Sequence, residues 1–166
     1  MNKKNSKKYQ YYSVGDFDHY DCLKLSKKLY LVLIFLLRGY LVWLMSVTNM
    51  HDRVSIVSWI YPEKSLFYFS LFSGAIGLFV LLIISLRRPE ASPWVQKSWR
   101  HCRTILIGAL LFDLFTHVLG YFYWQFFSLE WLIIQTIITL TLILLCYTSE
   151  RFKINLSEFP QKMPEK

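Results

Sequence analysis

Four apolar runs dictate what this chain can become: Leu29–Val47, Ser65–Leu86, Thr104–Trp124 and Leu129–Tyr147. Each approaches the roughly 20 residues a helix needs to cross a hydrocarbon core about 30 Å thick. In that solvent every backbone N–H and C=O must find a partner within the protein, so runs of this length fold as helices. The chain therefore reads as an all-α integral-membrane four-helix bundle over 29–147, with a basic segment 1–28 before it and a tail 148–166 after it. With 166 residues in total, little is left for a soluble domain.

Charge orients the bundle. A formal net charge of +8 would suggest nucleic acid for a soluble protein. Here the cations border the apolar runs, so the expected contact is lipid and no nucleic-acid partner is expected. Lys3, Lys4, Lys7 and Lys8 precede the first run, Arg87, Arg88, Lys97, Arg100 and Arg103 fill the central loop, and Arg151 and Lys153 follow the last. The other two loops are poor in Lys and Arg. The positive-inside rule then puts both termini and the central loop in the cytoplasm. Leu29–Val47 starts too late and runs too long for a cleaved signal peptide, and reads as a signal anchor.

Local signals refine this picture. Ser92-Pro93 marks the start of a surface helix, on which Trp94, Val95 and Trp99 are expected in the headgroup layer. Arg87, Arg88, Lys97, Arg100 and Arg103 are the expected anionic-lipid contacts. Ser70, Ser73, Gly74 and Gly77 give small-xxx-small spacing, which predicts close packing on another helix. Between the first two runs, Val54, Val57 and Ile60 or Tyr61 recur at helical spacing, which fits either a short interfacial helix with Trp59 among the headgroups or an irregular linker. The aromatic cluster from Tyr121 to Trp131, with Phe126 and Phe127, fits the opposite interface. The stretch up to Val14 and the tail from Asn155 are too polar to bury a core and read as disordered. Asp16, Asp18 and Asp21 lack the glycine and glutamate of a calcium loop, so charge pairing is expected and no metal site. Cys22, Cys102 and Cys146 form neither a CxxC pair nor a zinc spacing and are expected as reduced thiols.

The chemically unusual feature lies inside the membrane. Arg38 sits nine positions into the first run and Asp113 nine into the third, so in two parallel helices both lie about 13–14 Å deep. Charges there cost at least about 2.5–3.5 kcal/mol on insertion scales, so a facing pair is expected. His117 shares the face of Asp113 one turn on, and Gln135 on the returning run reaches a similar level. Arg38, Asp113, His117 and Gln135 thus form the candidate polar cluster, with Thr136 and Thr139 able to add hydroxyls.

The acidic-aromatic lead into Leu23-Lys24, the first run containing Arg38, Tyr61-Pro62 before the second run and Trp99-Arg100 before the third carry a family resemblance. Over roughly Asp16 to Tyr147 the chain resembles the YfeZ-like bacterial inner-membrane proteins, domain-of-unknown-function family 2919. Asp21 and Ser26 stand where that pattern suggests glycine and proline. The resemblance implies a bacterial inner membrane and supplies no catalytic residue.

No phosphate-binding glycine loop, nucleophile elbow or HExxH is present, so no enzyme, catalytic residue or cofactor is expected. The expected role is structural or accessory: binding a membrane-protein partner, a second copy or lipid. The alternative is a small transport or proton-conducting unit using the Arg-Asp-His cluster.

Overall fold

The protein is described here by a computed structural model covering residues 9, 12–18, 20, 22–49, 57–58, 60–61, 64–124 and 129–160. Helices dominate: α1 (Lys27–Leu36), α2 (Arg38–Thr48), α3 (Lys64–Ser85), α4 (Pro93–Arg100), α5 (Cys102–Trp124), α6 (Leu129–Thr148) and α7 (Glu150–Ser157). Among the described residues there is no strand, only an isolated antiparallel bridge between Phe17 and Leu23. Three helices among the described residues, α3, α5 and α6, are long and apolar enough to cross a membrane, and α1 with α2 makes a fourth if the bent pair is one span.

Polarity is turned inside out, as a bilayer requires. Phe72, Phe115, Ile137 and Leu144 are exposed, whereas Ser73, Asp113, Gln135 and Thr139 are buried. The apolar core is built from Leu29, Val32, Leu33 and Leu36 of α1, whose spacing of three and four makes one helical face. It continues through Val80 and Ile83 of α3, Leu106 and Leu110 of α5, and Leu142 of α6, and ends on Val95, Trp99 and Phe152 of α4 and α7.

The first apolar run is not the single straight helix its composition suggests. It breaks at Leu37, where α1 and α2 meet at 63°. Leu37 has φ −82° and ψ 2°, in the bridge region between helix and strand. No proline is involved. The Arg38 side chain turns back and donates from Nη1 to the Phe35 carbonyl at 3.1 Å, while its guanidinium carbon lies 4.4 Å from the Phe35 ring centre. A side chain inserted beside the backbone ladder is a recognised cause of a sharp kink, and it gives the bent backbone a partner, as an apolar surrounding demands.

The small-residue stripe of α3 seats this elbow. A Cβ on Gly74 would come within 2.9 Å of the Tyr40 ring and 3.0 Å of the Leu36 carbonyl, and one on Gly39 within 2.6 Å of Ser70 Oγ. Gly77 faces Leu36 and Leu37. The predicted helix contact is thus made within the chain. Tyr61 closes the other end of the stripe, its hydroxyl 2.8 Å from Ser70 Oγ. The interfacial helix expected around Val54 and Trp59 lies largely outside the described residues, of which Val57, Ser58 and Ile60 are helical. Phe126 and Phe127 also lie outside them.

The described residues nearest the two ends, 12–18 and 149–160, fold onto the α4 end of the bundle, which corrects the expectation of disorder for residues 155–160; residues 1–8 lie outside the described residues. Ser149 caps α7 by accepting from Phe152 N–H, and Asn155 is only 1% exposed. Its amide oxygen faces Ser26 N–H at 2.8 Å and its nitrogen Leu23 O at 3.2 Å. Glu158 accepts from Leu23 N–H at 3.0 Å and from the Tyr9 hydroxyl. Arg151 pairs with Asp16 at 3.1 Å, the charge pairing expected of that acidic segment. Asp21 and residues 161–166 lie outside the described residues.

Two outcomes follow from this packing. Gly74→Val should destabilise the purified protein by about 1–3 kcal/mol through overpacking against backbone, whereas Gly108→Ala, whose Cβ meets nothing within 4 Å, should change detergent unfolding by less than about 0.5 kcal/mol. The Tyr9 pKa is pushed up to about 12, by burial first and then by the Glu158 hydrogen bond and charge. A raised phenol stabilises fully below its unfolded value near 10, and that stabilisation is lost as pH rises through about 12. Thiol labelling of buried Cys22 should therefore accelerate over that interval, with no such step in Tyr9→Phe.

Candidate functional site

Asp113 lies near the middle of α5 and is 0% exposed. Its carboxylate takes hydrogen bonds from three other helices. Arg38 Nη2 at the start of α2 donates to Oδ1 at 3.0 Å and Oδ2 at 2.9 Å. Ser73 Oγ of α3 donates to Oδ1 at 3.1 Å, and Gln135 Nε2 of α6 donates to Oδ2 at 3.0 Å. Each oxygen thus receives two hydrogen bonds, which matches the roughly four lone-pair sites of an ionised carboxylate.

His117 stands one turn along α5 and joins the cluster differently. Its Nδ1 is 2.8 Å from the Asp113 backbone carbonyl and 3.9 Å from Oδ2. A carbonyl only accepts, so Nδ1 carries the proton of this contact. Thr116 Oγ1 donates to the same carbonyl at 2.7 Å. The structure therefore brings Arg38, Asp113 and Gln135 into direct side-chain contact, with His117 held to the backbone beside them.

Ser73 is the member that sequence reasoning assigned only to packing. Depth could have revealed it: it lies nine residues into α3, about 13–14 Å from that end and level with Arg38 and Asp113. The two threonines of α6 diverge. Thr136 bonds back to the Leu132 carbonyl at 2.8 Å, whereas Thr139 Oγ1 is buried without a partner among the described residues. Among the described residues no three of His, Cys, Asp and Glu gather closely enough to hold a metal ion.

The basic central segment divides into two sets. Arg88, Lys97 and Arg100 are exposed. Arg87 turns inward, its guanidinium carbon 4.8 Å from the Trp99 ring centre and Nη2 donating to the Glu158 carbonyl at 3.3 Å. Arg103 lies 5.0 Å over the Tyr147 ring. Trp94 is exposed, but Val95 and Trp99, expected among headgroups, are buried in the core. Trp99 Nε1 donates to the carbonyls of Asn155 and Glu158, each at 3.1 Å. An eight-residue amphipathic helix can turn its apolar side to lipid or to protein, and α7 supplies the protein.

Residues 12–158 match the model of a family described as protein of unknown function, DUF2919. The chain belongs to this family. Neither a curated protein nor a solved structure matches it. What family membership contributes is the extent of the common unit: the matched span takes in the amino-terminal bridge, every helix from α1 to α7, and Glu158.

Asp113→Asn leaves Arg38 without its counter-charge and should destabilise the protein by about 3–5 kcal/mol, read as a shift in denaturing-detergent titration. Arg38→Met combined with Asp113→Leu should recover most of that loss, since removing both charges removes both desolvation costs.

Proposed function

We propose that this chain is a four-span bacterial inner-membrane protein, amino and carboxyl termini cytoplasmic, whose role is structural or accessory and not catalytic or conducting. The observation that carries this reading is the saturated Asp113 carboxylate, which is fully buried and holds donors from α2, α3 and α6 on both oxygens. A relay group must exchange partners in each cycle, and any exchange at Asp113 would leave the Arg38 guanidinium without its counter-charge in the bilayer interior. A pin between helices needs the opposite property, partners that do not change.

The orientation rests on the positive residues. Exposed Arg88, Lys97 and Arg100 share one end of the molecule with Trp94, as expected of a face against anionic cytoplasmic lipid. The apolar outer surface of α3, α5 and α6 is available to lipid, a membrane-protein partner or a second copy.

Conduction is the rival reading, because His117 Nδ1 lies 3.9 Å from Asp113 Oδ2 and intramembrane His and Asp often mark proton paths. The two readings separate in vesicles containing a pH-sensitive dye. The reconstituted protein should dissipate an imposed proton or ion gradient no faster than empty vesicles. Sustained flux that disappears in Asp113→Asn at normal protein level would replace the structural reading with the conducting one.

A further inference from the structure

At the end of the molecule where α1 begins and α3 ends, Asp18, Lys24, Leu25, Tyr30, Ile84 and Arg87 line a cavity of about 340 Å³. That volume lies within the range of about 300–1,000 Å³ typical of small-ligand sites. Tyr30 is the fourth residue of α1 and Ile84 the penultimate residue of α3, so the cavity sits where two adjacent membrane helices leave the apolar layer. We propose that it binds the phosphodiester of an anionic phospholipid with a hydroxylated headgroup, of the phosphatidylglycerol class. This rests on the reading that this end faces the membrane's headgroup layer.

Charge selects the ligand class. Lys24 and Arg87 supply two cations to the lining against the Asp18 carboxylate, with Glu158 also near Arg87, so the site suits an anion of single charge such as a phosphodiester. A phosphate monoester, with a charge of about −1.5 to −2, would overshoot. Lys24 Nζ donates to Gly15 O at 2.8 Å, and an ammonium has two further N–H donors to offer. Arg87 is held against Trp99 and Glu158, and its buried Nε–H has no partner among the described residues. Burial lowers the Arg87 pKa, opposed by Cys22, Glu158 and Asp18, and a bound anion would further compensate that charge. The exposed Tyr30 phenol and the Asp18 carboxylate suit headgroup hydroxyls. Leu25 and Ile84 give the apolar side that the first carbons of an acyl chain need.

The test is native mass spectrometry of the full-length protein released from an equimolar mixture of phosphatidylglycerol and phosphatidylcholine. Wild type should retain phosphatidylglycerol in preference to phosphatidylcholine. Lys24→Gln should cut that retention about tenfold, the effect of one charge-assisted hydrogen bond. Tyr30→Phe, which leaves the packing intact, should cut it about three- to fivefold. Arg100→Gln removes the same charge from the open basic face and should cut it less than about twofold. Equal retention of the two lipids overturns the proposal, and so does displacement by excess inorganic phosphate, which would mark a free-anion site. If Arg100→Gln weakens retention and Lys24→Gln does not, the basic face still meets lipid but the cavity is not the site. If neither variant matters, the headgroup-facing reading falls as well.

Discussion

A carboxylate without water must be surrounded by donors, and meeting that demand at Asp113 ties this molecule together. Arg38, Ser73 and Gln135 come from α2, α3 and α6, so the charge of α5 is satisfied only when all of these helices stand at the correct height and rotation. Apolar packing in lipid lacks such specificity, because a leucine is nearly as well accommodated against an acyl chain as against another leucine. A buried ion pair contributes little net stability compared with an apolar substitute. Its use here is to make wrong registers costly.

The break at Leu37 and the small-residue stripe of α3 serve the same end. The elbow directs the Arg38 guanidinium toward Asp113 while returning Nη1 to the Phe35 carbonyl, so one side chain both bends its helix and pairs across the bundle. Ser70, Gly74 and Gly77 let that elbow lie against α3 where larger residues would hold it off. Arg38 remains 23% exposed in its side chain, with its guanidinium both over the Phe35 ring and on the carboxylate.

Much of this was legible in the residues. Run length predicted the helices, and counting positions from the ends of two parallel runs brought Arg38 and Asp113 to one level before any coordinates. The 63° bend was not legible, because neither Leu37 nor its neighbours include a proline and the spacing of residues does not show that the Arg38 side chain turns back on the Phe35 carbonyl. Ser73 was read as a small residue for close packing, which it is, while its hydroxyl has a second use that spacing does not reveal. The inward turn of Val95 and Trp99 was missed because an apolar stripe does not say whether its neighbour is lipid or protein. The packing after α6 was missed for a related reason: the tail from Asn155 contains few apolar residues, but Asn155 is buried and Leu156 and Phe159 pack against the core.

That packing imposes an order on biogenesis. Leu23 receives its partner from Glu158, and Asp16 from Arg151, across 135 positions in each case. At synthesis rates of 5–20 residues per second, the leading segment waits on the order of ten seconds for the counterpart that secures it. The helices can enter the bilayer during that interval, yet the end bearing α4 stays unsealed until the final turn of α7 has left the ribosome. A chain truncated shortly before Arg151 would retain every apolar run and still lack the latch for its own beginning.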